Sequence, residues 1–144
     1  MSEQTSATAE VTIAASAKRV WDALTDPAII KKYMFGSEVS SEWTVGSPIT
    51  YAGEYEGKTY EDHGTILEIR PPELLRVTHF SPLSDRPDRP ENYHEITYAL
   101  EPRGNGTRLE LTQNNNSSLP EAEHSAANWQ KMLDTLKSVI ESTP

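Results

Sequence analysis

The sequence predicts an α+β domain: a curved antiparallel sheet of six to seven strands wrapped around a long C-terminal helix, with two short helices after the first strand. Three observations predict it. Trp129, Leu133, Leu136 and Ile140 recur at steps of four, three and four, which puts them on one helical stripe. Between residues 49 and 113, apolar and polar residues alternate in runs separated by turns, as antiparallel strands require. Ser16 and Asp26-Pro27 supply two helix starts in quick succession before those runs begin.

Each element follows in order. Residues 1–9 are small and polar and are expected to form a flexible tail, leaving 10–144 as the folded domain. Val11-Thr12-Ile13 is a short strand. Ser16 caps a helix over Ala17 to Leu24, with Val20, Trp21 and Leu24 on one face. Asp26 caps a second helix with Pro27 in its first position; it runs to about Tyr33 or Met34, and Gly36 stops it. Ile49, Tyr51 and Tyr55 alternate with Thr50 and Glu54, and Glu56-Gly57-Lys58 turns the chain back. Thr59 to Arg70 is long for one strand, and Gly64 inside it marks an expected bend or bulge. After Pro71-Pro72, Leu75, Val77 and His79 alternate with Arg76 and Thr78.

Ser81 to Asn92 holds three prolines and five charges, and no regular element is expected there. Its length suits a lid beside His79. Ile96, Tyr98 and Leu100 then alternate with Thr97 and Glu101. Gly104-Asn105-Gly106 is a hairpin turn leading into Thr107 to Gln113. Ser118-Leu119-Pro120-Glu121 has capping-box spacing and opens a helix over about 119–142.

Composition narrows the partners. The chain has 144 residues, 22 acidic and 13 basic, for a formal net charge of −9. That balance speaks against nucleic acid or an anionic membrane, which call for a basic footprint. Cysteine is absent, so disulfides, thiolate nucleophiles and cysteine metal sites are excluded. The first ten residues lack the basic start and apolar stretch of a signal peptide, and no apolar run approaches the length of a spanning helix. A cytoplasmic protein with no membrane insertion is expected, as a monomer or homodimer. His63, His79, His94 and His124 show no close metal-ligand spacing, so neither a metal nor a cofactor is expected.

Four stretches carry a resemblance. They are Val20-Trp21-Asp22-Ala23-Leu24-Thr25-Asp26-Pro27, Gly64-Thr65-Ile66-Leu67-Glu68-Ile69-Arg70-Pro71-Pro72, Gly106-Thr107-Arg108-Leu109-Glu110-Leu111-Thr112-Gln113 and Trp129-Gln130-Lys131-Met132-Leu133. Taken in order they span about residues 10–141. Together they resemble the START-like, or SRPBCC, superfamily of birch-pollen-allergen-like proteins. Within it they resemble the branch named after the activator of the ninety-kilodalton heat-shock protein's ATPase. The resemblance implies a helix-grip fold; it speaks to fold rather than to a reaction. Two positions depart from it. Members often carry tryptophan where this chain has Tyr33-Met34-Phe35 and, at the end of the strand after the double proline, where it has His79.

A helix gripped by a curved sheet leaves a gap wherever side chains do not meet, and ligands bind in such concave spaces. Six residues are expected to line it. His79 shares a strand face with Leu75 and Val77. It is read either as a cavity donor, acceptor or proton-transfer group, or as a strand-end histidine with a structural partner. Tyr51, Tyr98 and Tyr33 are read as hydroxyls aimed into a pocket or as ordinary aromatic packing. Trp129 and Met132 lie near the helix start, where the space opens. Glu61-Asp62 is read as a solvated edge, because strand neighbours face opposite sides. No catalytic motif is present. The leading expectation is a binding protein for a hydrophobic or amphipathic small molecule. A hydrolase, cyclase or isomerase using His79, and a chaperone-linked interaction module, are the alternatives.

Overall fold

Each strand has one apolar face to bury, and one amphipathic helix supplies the partner surface. In the computed structural model, which describes residues 6–34, 36–81, 87–116 and 118–142, the elements run as follows. They are β1 (Ala7–Ile13), α1 (Ala17–Thr25), α2 (Pro27–Tyr33), β2 (Glu38–Ser41), β3 (Pro48–Tyr55), β4 (Lys58–Arg70), β5 (Leu74–His79), β6 (His94–Arg103), β7 (Gly106–Gln113) and α3 (Leu119–Glu141). The seven strands form one sheet in the order β1-β7-β6-β5-β4-β3-β2, every neighbouring pair antiparallel.

The caps are those the sequence predicts. The Ser16 and Asp26 side chains accept from the backbone N–H groups of Arg19 and Ala28 at the starts of α1 and α2. Ser118 does the same for Glu121 at the start of α3. Pro27 and Pro120 sit in first-turn positions, where a missing N–H costs nothing.

Several boundaries differ from expectation. β1 begins at Ala7, so Ala7, Thr8 and Ala9 pair with Gln113, Thr112 and Leu111 instead of belonging to the tail; residues 1–5 lie outside the described residues. β2 adds a strand that sequence pattern did not mark, because Val39 is its one buried residue. The β4 irregularity falls between Ile66 and Glu68, not at Gly64. Gly64 instead allows a close approach: a Cβ there would lie 1.7 Å from the Thr78 carbonyl oxygen. The last hairpin turns on Gly104 and Asn105, with Gly104 at φ +59° and Gly106 already in β7.

The proline-rich segment is only partly described, since residues 82–86 lie outside the described residues. Its second part contains a 3-10 turn over Pro90–Asn92, where no regular element was expected. The Asn92 amide donates to the Pro87 carbonyl at 2.9 Å, and the Asn115 amide donates to the Glu91 carbonyl at 2.8 Å. The Tyr93 hydroxyl donates to Asp88 at 2.5 Å, and its ring stacks on Phe80.

α3 also closes the sheet's free edge. The Gln130 side chain accepts from the Glu10 N–H and donates to the Glu10 carbonyl, and Lys137 donates to the Thr12 carbonyl. The Glu141 carboxylate accepts from the Ala14 N–H just past β1. An edge strand left open would be a template for another chain. Here helix side chains occupy its backbone groups.

Candidate functional site

Strand alternation decides what faces α3. Leu75 and Val77 of β5 are buried on the concave side, so His79 two residues on faces the same way. The same period of two presents Tyr51 from β3, Tyr60 and Asp62 from β4, Ile96 and Tyr98 from β6, and Gln113 from β7. α3 contributes Ser125, Asn128, Trp129 and Met132, while Met34 and Ser37 close the space beside α2. Together they line a cavity of about 320 Å³ between helix and sheet. That lies within the range of small-molecule sites, roughly 300–1,000 Å³.

Five of the six residues singled out from sequence line this space: His79, Tyr51, Tyr98, Trp129 and Met132. Tyr33 does not. It is fully buried outside the cavity, and its hydroxyl donates to the Ala23 carbonyl of α1 at 2.9 Å. Its place near the gap is correct, but the turn of α2 aims the ring at α1.

Asp62 corrects the reading of Glu61-Asp62 as a solvated edge. Glu61 is exposed, as expected, but Asp62 faces inward with its side chain 18% exposed. His79 Nε2 lies 3.1 Å from Asp62 Oδ2, and the Tyr51 ring meets the His79 ring edge-on at 5.5 Å. The other carboxylate oxygen, Oδ1, is buried without a hydrogen-bond partner among the described residues. Register carried the signal for Asp62, since it lies four residues before the fully buried Ile66 on the same strand face.

Polar groups also bind one another around the wall. The Ser37 and Tyr60 hydroxyls are 2.6 Å apart. Gly53 makes room for that contact, because a Cβ there would lie 2.6 Å from the Tyr60 hydroxyl. At the α3 side, Trp129 Nε1 donates to Gln113 Oε1, and the Gln113 amide donates to Asn116 Oδ1 at 3.2 Å. Burial raises the Tyr51 hydroxyl well above its ordinary pKa, helped by Tyr98 and by the nearby Asp62 carboxylate. Burial alone raises Tyr98. Both remain neutral phenols near pH 7, able to donate or accept.

The remaining histidines lie elsewhere. His63 is within 3.0 Å of both Asp88 and the Tyr93 hydroxyl beside the proline-rich segment. His94 Nδ1 lies 2.9 Å from the Asn114 carbonyl oxygen, and His124 is exposed. Among the described residues, no group of three or more His, Asp or Glu side chains could hold a metal ion, and no helix is long and apolar enough to cross a membrane.

Comparison with known proteins places this geometry. The family model described as activator of Hsp90 ATPase homolog 1-like protein matches residues 14–141. Among curated proteins, none matches the chain. A solution structure from Cytophaga hutchinsonii is 47% identical, with 95% of this chain and 94% of that one covered and a TM-score of 0.84. CalU16 from Micromonospora echinospora is 24% identical over 94% of this chain and 75% of that one, with a TM-score of 0.74. The Aha1 dimer from Colwellia psychrerythraea is 23% identical over 94% of this chain and 96% of that one, also at 0.74. The last two show likeness of fold.

Proposed function

The chain belongs to the family of activator of Hsp90 ATPase homolog 1-like proteins, and from that premise we propose that it binds an apolar or amphipathic small molecule between α3 and the concave face of the sheet. The observation that carries the reading is the make-up of the cavity wall. Met34, Ile96, Met132 and the aromatic rings supply apolar area, while His79, Asp62, Tyr51 and Tyr98 add polar groups to the wall. A core built only for stability would fill such a space, because empty volume forfeits dispersion contacts. His79, Tyr51, Tyr98, Trp129 and Met132 are the residues we assign to the ligand. The protein acts in the cytoplasm as a monomer or homodimer in this reading; the dimeric neighbour from Colwellia psychrerythraea supports a sizing measurement.

A thermal-shift screen of amphipathic molecules tests the proposal. A ligand at about 100 times its Kd adds roughly 2.7 kcal/mol of stability, enough to raise Tm by several degrees. Met132→Trp fills the cavity and removes the shift. A broad library that leaves the wild-type Tm unchanged, or a shift that survives Met132→Trp, overturns it.

One observation favours a second reading. His79 and Asp62 form a hydrogen-bonded pair facing the cavity, an arrangement that holds an imidazole ready to move a proton. A hydrolase, cyclase or isomerase would use it. His79→Gln abolishes turnover in the second reading and only weakens the ligand-induced thermal shift in the first.

A further inference from the structure

The charged groups of the cavity wall are few. Among the described residues that line it, Asp62 is the carboxylate, and none is lysine or arginine. His79 occupies one oxygen of that carboxylate at 3.1 Å, while Oδ1 is buried and unpartnered. Oδ1 itself is closed to solvent, so what the cavity meets is the charge of a carboxylate that no lysine or arginine of the wall offsets. Tyr51, Tyr60, Tyr98 and Trp129 bring electron-rich rings to the same space. Aromatic rings attract a cation through their quadrupoles, and the attraction strengthens out of water.

The Tyr51 and Tyr98 hydroxyls have no hydrogen-bond partner among the described residues, which leaves their oxygens free to accept as well. The net charge of −9 adds a field that draws cations toward the protein and repels anions.

We propose that the ligand is an organic cation: a protonated amine on an apolar, ring-sized body, its ammonium held by Asp62 and the surrounding aromatic rings. The inference rests on the cavity being the binding site and adds the ligand's charge. A fatty acid or aryl carboxylate would set a second negative charge against Asp62 with no lysine or arginine in the wall to offset it. A neutral alcohol carries no charge to set against Asp62 and would gain little from the rings.

Three probes with the same body decide the matter: 2-naphthylmethylamine, 2-naphthalenemethanol and 2-naphthoate. Near about pH 7.5 the first is a cation and the last an anion. Calorimetric titration of the wild-type protein is expected to rank them amine, alcohol, carboxylate, with the amine about tenfold tighter than the alcohol. Asp62→Asn, close to isosteric, should weaken the amine about tenfold while changing the alcohol by less than about threefold. Thermal unfolding of that variant shows whether it is folded, and the wild-type ranking decides the proposal without it. If the alcohol or the carboxylate binds as tightly as the amine, the charge preference is wrong and the binding site stands. If none of the three binds, the organic-cation proposal falls, and the library screen decides the cavity reading.

Discussion

The two halves of α3 face the same sheet and meet different fates. In the C-terminal half, Leu133, Leu136 and Ile140 are buried in a dry core shared with Ile13, Val20 and Leu109. Nearer the N-terminus, Trp129 is half-buried and Asn128 is exposed beside a cavity, with buried Met132 at the boundary between the two. The difference lies in what the strands send across. Opposite the closed half they present aliphatic side chains that collapse onto the helix. Opposite the open end they present Asp62, His79, three tyrosines and Gln113, whose polar ends would be desolvated at a cost if buried against leucine. One helix thus anchors the fold with one end and borders the candidate site with the other.

The largest expected effect separates these ends directly. Leu136→Ala should cost about 3 kcal/mol, because a fully buried leucine leaves both lost transfer energy and a cavity. Trp129→Ala should cost less, about 2 kcal/mol, despite removing more atoms. A fully buried tryptophan would lose about 3–5 kcal/mol. The half-exposed place of Trp129 beside existing empty space lowers that figure, with the hydrogen bond to Gln113 making up part of what remains. Urea unfolding of the two variants checks the order. A larger loss for Trp129 would mean that the open half carries the core.

A smaller effect sharpens the border of the cavity. Tyr33→Phe removes the buried hydroxyl and leaves the Ala23 carbonyl unpaired, at a cost of about 1 kcal/mol. Ligand affinity should stay the same, since Tyr33 does not line the cavity. A Tyr33→Phe variant with wild-type stability and altered affinity would move the border to α2.

The smallest effect concerns the clasp at the closed end. The Glu141 carboxyl is held below its ordinary pKa, first by Lys137 and then by the Ala14 N–H. A group depressed in the folded state stabilises above its unfolded pKa, and that contribution disappears as pH falls through the folded value. Glu141→Gln should therefore lower stability slightly at pH 7, where that contribution is fully present, and leave the acid end unchanged, which flattens the acid limb. An unchanged acid limb would show that the clasp between α3 and β1 contributes nothing measurable.

Much of the candidate site was legible, and the misses have physical reasons. His79 follows from Leu75 and Val77 by period two, and Trp129 and Met132 follow from the helical stripe. Gln113 follows Leu109 and Leu111 in the same way, but a polar residue at a strand end gives no hydrophobic signal. Asp62 was hidden by its own charge. A carboxylate beside Glu61 reads as solvent-facing until the register Tyr60, Asp62, Gly64, Ile66 is followed through β4. Tyr33 erred in the opposite sense, since proximity to the gap says nothing about the face of a short helix. β2 escaped because four residues with one buried side chain show no period.

The sequence by itself determined the order of elements, the three helix caps, the tight hairpins and the apolar stripe of α3, because these depend on residues within a few positions of one another. Only the tertiary structure decided where helix and sheet fail to touch. That gap depends on pairing β4 with both β3 and β5, and on the irregularity after Ile66. It depends equally on Gly53 yielding space to the Tyr60 hydroxyl and on His79 finding Asp62 across 17 positions of chain. Such contacts are set by strand register and side-chain volume together, which local periodicity does not encode.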